Sequence, residues 1–544
     1  MFRWTRPPSY GLARSPQIIS KKPSDSRTTE TLKTCIADQD SGRVSSDVMD
    51  NMGLEPQVVP KRRLKDVQFG FASADYEASH DPDLLLRGFV DPLRLVDEAK
   101  TSRKSLFLGY KGSGKSALGE HLLLLSKSDP HLFVRFINIA DISFSTFSQI
   151  CKGVIEPEAR YPMVWSWLLL LFLLDSFSKD QGSNYVHDQD LFLSIESLKQ
   201  VGLLPQPELK GLVNITADKS FSFKLTTLIG SIETTLKAAS APVDFPFLVD
   251  RLKLVSTRFE SESKHLLIID GFDELLRRGH LQYDALGCLI FEANRLNMDF
   301  AAKGVPAKII LLCRTDLFER LPGPNKNKIR QNAAVHIDWY RPPEYPRQSQ
   351  LVNLINRRAS LAFREPTDVF TTYLPSTLRS DGTGDIRAQI LDNTRHLPRD
   401  IIMLFRNLQN YSGDRVMTPS QISSGLAQYS RDYFIPEIQD ELDGYISGEQ
   451  ISFFMRLVGS IRRISVSLND LDAQAKKLGN PQDFDLIGIL RVLFECSAIG
   501  NVELGSTRSA IITTFKFRNR HASLNESRPI ILHRGLWSGL GLRW

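Results

Sequence analysis

Gly109-Tyr110-Lys111-Gly112-Ser113-Gly114-Lys115-Ser116 is the stretch on which the fold turns. A short apolar run, Ser105-Leu106-Phe107-Leu108, leads into it, and a helical pattern from Ala117 to Leu125 leaves it. Strand, glycine loop, helix is the order that a phosphate-binding loop requires. The glycines let the backbone curl until its N–H groups converge on a polyphosphate, and the following helix adds the positive end of its dipole. Gly109 to Ala117 are therefore the candidate nucleotide-binding residues. Lys115 is placed to reach the β- and γ-phosphates, and the Ser116 hydroxyl to ligate Mg²⁺.

Further out, buried-strand patterns recur at 133–139, 265–270, 308–314 and 333–339, separated by helical patterns. Continuous Leu/Ile runs of this length suit strands covered on both faces, as in a parallel sheet. Alternation of strand and helix around the loop predicts an α/β fold, a doubly wound parallel sheet. The expected organisation is a disordered basic leader over 1–64 and a nucleotide-binding core over 65–340. Residues 143–264 of that core form a helical insertion far longer than an ordinary crossover. A helical lid over 341–411 and a C-terminal, winged-helix-like α+β domain over 412–544 complete the chain.

Hydrolysis needs carboxylates on a second strand. Leu266 to Ile269 end in Asp270-Gly271-Phe272-Asp273-Glu274. Asp270, at the strand tip, is the second candidate metal residue. Glu274 or Asp273 would orient or deprotonate the attacking water, with the longer reach of Glu274 favouring it. Arg314 ends the next strand, and Arg399 opens a helix after His396-Leu397-Pro398. Either guanidinium suits a γ-phosphate contact or a plain ion pair. Asn325-Lys326-Asn327-Lys328 lacks the aspartate of a guanine-reading motif. The nucleotide expected is ATP.

Asp270-Gly271-Phe272-Asp273-Glu274 resembles the acidic motif of STAND-class ATPases, switch-like relatives of the AAA+ and origin-recognition ATPases. Lys111 to Ala117, Arg314-Thr315-Asp316-Leu317-Phe318 and Pro398-Arg399-Asp400-Ile401-Ile402 are similar to a bacterial family of FunZ-type P-loop ATPases. The tail segments 518–523 and 533–537 share that similarity. The resemblance spans roughly 67–537 and implies a nucleotide-hydrolysing core with a helical lid. Gly271 departs from AAA+, which carries its catalytic glutamate at that position.

The 544 residues carry 42% apolar and 24% charged side chains and a net charge of +6, ordinary for a globular chain of two or three domains. Five scattered cysteines form no C-x-x-C pair, which excludes a disulfide framework or zinc site and suits a reducing, cytoplasmic setting. The run Met163 to Leu174 is too short for a bilayer and reads as a buried helix. The first 22 residues hold five basic and no acidic side chains, an address-like composition that equally suits a solvated tail. Lys516, Arg518 and Arg520 alternate with Phe515 and Phe517 as on a strand, which suggests DNA contact through the C-terminal domain or, more plainly, a solvated edge. Beyond ATP, the partners expected are DNA at that domain, a protein of unspecified kind, and further copies of the chain; no membrane contact is expected.

Overall fold

The computed structural model describes residues 62–150, 156–205, 208–217, 245–272, 281–323, 325–443, 445–504 and 511–542. The expected leader, apart from Arg62 to Leu64, lies outside the described residues, as do Asp273 and Glu274.

Five parallel strands form the central sheet: β1 (Leu106–Gly109), β2 (Leu132–Asn138), β3 (Lys264–Asp270), β4 (Ala307–Arg314) and β5 (Ala334–His336), in the order β2-β3-β4-β1-β5. Because side chains alternate across a sheet, each apolar run feeds two cores. Leu106, Leu108, Leu267, Ile269, Ile309 and Leu311 point into one layer. Phe107, Leu266, Ile268, Ile310 and Leu312 point into the other, against Leu118 and Leu122 of the helix Lys115–Ser126. The sheet is thus covered on both faces, as the continuous hydrophobic runs require. It is an α/β P-loop core.

Between β2 and β3 every described element is a helix. Pro157–Phe177 is apolar all round and correspondingly buried all round: Val164, Trp165, Trp167, Leu168 and Leu170 to Leu174 are at most 3% exposed. Such a helix is a core element. Trp165 Nε1 donates to the Ala285 carbonyl at 2.8 Å, which fixes it to the helix Leu281–Lys303. Among the described residues no helix is long and apolar enough to cross a membrane.

The C-terminal region packs around a separate apolar core that includes Leu64, Val67 and Phe69 from the first described residues. Helices Gln350–Phe363, Pro398–Gln409 and Pro419–Tyr429 lead into a π-helical turn, Ser430–Phe434, and then into Ile435–Leu442. Pro436 explains the turn: it has no N–H for the carbonyl four residues back, so the ladder must widen there. Helix Gly448–Ile461, β6 (Ser465–Val466), helices Leu468–Leu478 and Leu486–Glu495, then β7 (Ile499–Leu504), β8 (Ile511–Thr514) and β9 (Ile530–Leu532) follow. The small sheet is antiparallel in the order β6-β9-β7-β8.

One sequence expectation is corrected here. The run through Phe517 does not continue as a strand; β8 stops at Thr514 and 516–518 form a turn. Phe515 is buried beside His533, with ring centroids 5.5 Å apart, and Phe517 stacks on Phe515. Strand alternation would also put the two rings on one side; the strand is ended by the turn itself, in which the Arg518 and Asn519 N–H groups both reach the Phe515 carbonyl at 3.1 Å. The three basic residues turn toward carboxylates of the same chain: Lys516 to Glu495 at 3.0 Å, Arg518 to Asp392 at 3.3 Å and Arg520 to Asp338 at 3.3 Å.

Candidate functional site

The glycine loop leaves the C-terminal end of β1, the end at which open α/β sheets bind ligands. Gly112 (φ +82°) and Gly114 (φ +93°) adopt left-handed backbone that only glycine takes without strain. A Cβ on Gly112 would also meet Arg399 Cβ at 3.2 Å. Lys115 is 6% exposed and its ammonium donates back to the loop, to the Gly109 carbonyl at 3.2 Å and the Tyr110 carbonyl at 3.1 Å. The cation therefore lies inside the cradle that the loop forms.

Ser116 lies in the first turn of the helix Lys115–Ser126, and its Oγ donates to Asp270 Oδ2 at 2.5 Å. Asp270 sits at the tip of β3, in register with Asn138 at the tip of β2. The other oxygen of Asp270 accepts from the Gly271 N–H at 2.8 Å. Two side-chain oxygens 154 residues apart in sequence are thus brought together at the strand tips. This hard-oxygen pair beside an anion cradle fits Mg²⁺, which is usually held by few protein oxygens and by substrate phosphates.

The loop lines a cleft that also takes in Phe71, Phe89, Val90, Leu95, Leu354 and Ile402. Apolar walls with a polar phosphate end are the usual composition of a nucleotide-sized site. One wall is fastened by a buried ion pair that the sequence did not disclose. Arg358 of helix Gln350–Phe363 bonds Glu77 Oε1 at 2.5 Å and the Phe69 carbonyl at 2.6 Å. Gly70 (φ +120°) leaves the room that this guanidinium occupies.

Over the phosphate end stands the N-terminus of Pro398–Gln409. Pro398 abuts Gly114, the Arg399 N–H reaches the Gly112 carbonyl at 3.4 Å, and Trp339 Nε1 donates to the Ser113 carbonyl at 2.9 Å. Arg399 lines the cleft, and its Nη1 lies 3.2 Å from Glu437 Oε1. Arg314 lines a second, narrower cavity behind Tyr110 and Lys111 rather than the cleft. Its guanidinium is bidentate to Asp316, at 2.9 and 2.8 Å, and 2.7 Å from Glu441 Oε2. Of the two uses the sequence left open for Arg314, the geometry shows the ion pair, with neighbouring acids holding the guanidinium outside the cleft.

A fully buried pair underlies the lid. Arg395 is bidentate to Asp400, at 3.0 and 2.9 Å, and Tyr433 adds a hydrogen bond to the same carboxylate at 2.8 Å. Burial alone would push the Asp400 carboxyl up, yet Arg395 and these hydrogen bonds hold it below the usual carboxylate range. Arg395, Glu437 and Glu441 were not singled out from the sequence. The i, i+4 spacing of the two acids was the available signal, and on a helix it also describes an ordinary solvated face.

These features define a nucleotide-binding α/β protein of the P-loop class, with a helical region capping the loop. Comparison with known proteins then gives the particular relationship. Residues 349–435 match the FunZ-associated C-terminal helical domain, so the FunZ resemblance read from the sequence holds. The putative transposon gamma-delta 80.3 kDa protein of Escherichia coli (strain K12) is 19% identical over 488 residues, covering 86% of this chain and 66% of that protein. The chain therefore spans about two thirds of that relative's length. Among solved structures, Cdc6p of Pyrobaculum aerophilum aligns over 82% of this chain and 92% of its own at 11% identity and a TM-score of 0.27.

Proposed function

We propose that the chain is a Mg²⁺-dependent ATPase that works as a nucleotide-controlled switch. The observation that carries the reading is the Ser116–Asp270 contact beside Lys115 in its glycine cradle. On binding ATP, Lys115 exchanges its two loop carbonyls for β- and γ-phosphate oxygens, while loop N–H groups take the remaining charge. Ser116 and Asp270 hold the metal, which when bound neutralises charge developing on the phosphates. Asp273 or Glu274 then orients the attacking water. Since Pro398 and Arg399 rest directly on the loop, a change at the phosphates is felt by the lid and the helices beyond it. DNA contact through Lys516, Arg518 and Arg520 is the weaker reading, because each already faces an internal carboxylate.

The test is nucleotide binding and turnover by the full chain. Lys115→Ala is expected to weaken ATP binding by roughly 100-fold or more, the loss of about two charge-assisted contacts at ~1.5–3 kcal/mol each. Unchanged affinity would remove the loop as the binding site. Comparing Glu274→Gln with Asp273→Asn decides the base: the variant that binds ATP without hydrolysing it identifies the residue.

A further inference from the structure

We infer that Glu437 and Glu441, one turn apart on the helix Ile435–Leu442, form a carboxylate clasp that competes with nucleotide phosphate for the cations around the loop. The inference rests on the nucleotide reading of the cleft and adds the group that opposes it. Glu437 Oε1 lies 3.4 Å from Lys111 Nζ of the loop itself and 3.2 Å from Arg399 Nη1 of the lid. Lys111 and Arg399 both line the cleft. Glu441 holds the deeper cations, Arg314 at 2.7 Å and Arg395 at 3.5 Å.

These contacts are largely shielded from water, the Glu437 and Glu441 side chains being 10% and 3% exposed. Pairing there is therefore much less screened than at a surface. Burial raises the Glu437 carboxyl, but Arg395, Lys111 and Arg399 outweigh it and keep the group ionised. An anionic carboxylate thus satisfies the cations that a phosphoryl group would also satisfy. A triphosphate in the cleft offers more charge than one carboxylate, so Lys111 and Arg399 pass to it and Glu437 is released. Since the clasp helix continues from the Pro419–Tyr429 helix through the π-helical turn, its release frees the attachment of the C-terminal region to the loop. Binding and release are then linked: whatever pulls the helix away tightens ATP binding by the same factor.

The experiment measures affinity for a non-hydrolysable ATP analogue and for ADP in the full-length wild-type and Glu437→Gln chains, with hydrogen exchange followed over 435–442. Glu437→Gln is expected to bind the ATP analogue at least about five-fold tighter, the lower end of ordinary site-to-site coupling, with a smaller gain for ADP. In the wild type, the ATP analogue is expected to raise exchange in 435–442 more than ADP does, a readout that does not depend on how well the variant folds. Weaker analogue binding by Glu437→Gln would mean that the acid orients the cations for phosphate, and overturns the clasp. So does analogue binding that leaves exchange over 435–442 unchanged. If neither chain binds either nucleotide, the reading of the cleft itself fails and takes the clasp with it.

Discussion

Gly271 shows how much one missing side chain carries. It follows Asp270, the candidate metal residue, with φ +90°, and a Cβ there would strike the Asn138 side chain and come within 3.0 Å of the Ala140 N–H. Asn138 is itself committed, its Oδ1 accepting from that same N–H at 2.9 Å. The glycine thus lets the tips of β2 and β3 close together, and its own N–H holds Asp270 Oδ1 toward the loop. Gly271→Ala places a Cβ in a left-handed conformation and in occupied space, a cost of about 1–3 kcal/mol. The expected result is a lower denaturation midpoint together with weaker Mg²⁺-dependent nucleotide binding, because Asp270 is displaced from Ser116. A stability loss that leaves Mg²⁺-dependent binding intact would dissociate the two. At this scale the sequence was most legible: a motif in which each residue type has one physical use can be read without knowing its neighbours. Glu437 was not legible, because its partner Arg399 lies 38 residues away and only the fold joins them.

At the scale of elements, legibility followed burial. Strands β3 and β4 were readable because each carries an unbroken apolar run, Leu266 to Ile269 and Ile309 to Cys313, and Pro157–Phe177 because no face of it is polar. The end of β8 was not, since Phe515 to Arg520 keep a strand-like alternation while the backbone turns at 516–518 and closes on the Phe515 carbonyl. The tail helix Arg534–Trp537 gives the same lesson, for its residues looked like a family mark rather than a structural part. It is a wedge. His533 receives the Gly535 N–H at 3.0 Å and meets the Thr394 carbonyl at 3.1 Å, while Ser430 of the π-helical turn donates to the Gly535 carbonyl at 2.5 Å. A Cβ on Gly535 would lie 2.8 Å from the Asn393 carbonyl and 2.9 Å from the Phe434 ring. Gly535→Ala therefore overpacks the junction of tail, lid and π-helical turn, at about 1–3 kcal/mol. Denaturant unfolding checks this; a midpoint equal to wild type would show that the junction yields without cost.

On the scale of the whole molecule, neutral histidines make the assembly sensitive to mild acid. Burial depresses His396 and His533 to about 3, with Arg518 adding to the effect on both. The tautomer of His533 is fixed: its Nδ1 accepts from Gly535, so the proton sits on Nε2 and donates to Thr394, and a second proton would break the first bond. Among the described residues His396 Nε2 meets no hydrogen-bond partner, and its ring stacks on Phe517 with centroids 4.9 Å apart. His121, His265 and His336 are shifted in the same direction by burial. In each case the folded value lies below the unfolded one, so the unfolded chain binds more protons as pH falls through about 6.5, and stability falls with it. The depressed carboxylates Asp400 and Glu437 lose their contribution only near or below about pH 4. The interval from pH 6.5 to 5 therefore belongs to the histidines. For a group depressed as far as His396 or His533, the loss across it is about 2 kcal/mol, from 1.36 kcal/mol per pH unit. His396→Phe keeps a stacking ring and removes one titration. Its unfolding free energy should decline less than that of wild type between pH 6.5 and 5, by about 2 kcal/mol. The comparison is of slopes, so a constant penalty for phenylalanine at this left-handed position (φ +53°) cancels. Equal slopes would mean that His396 is solvated in the folded state, and that the aromatic seam joining lid and tail is more open than its packing implies.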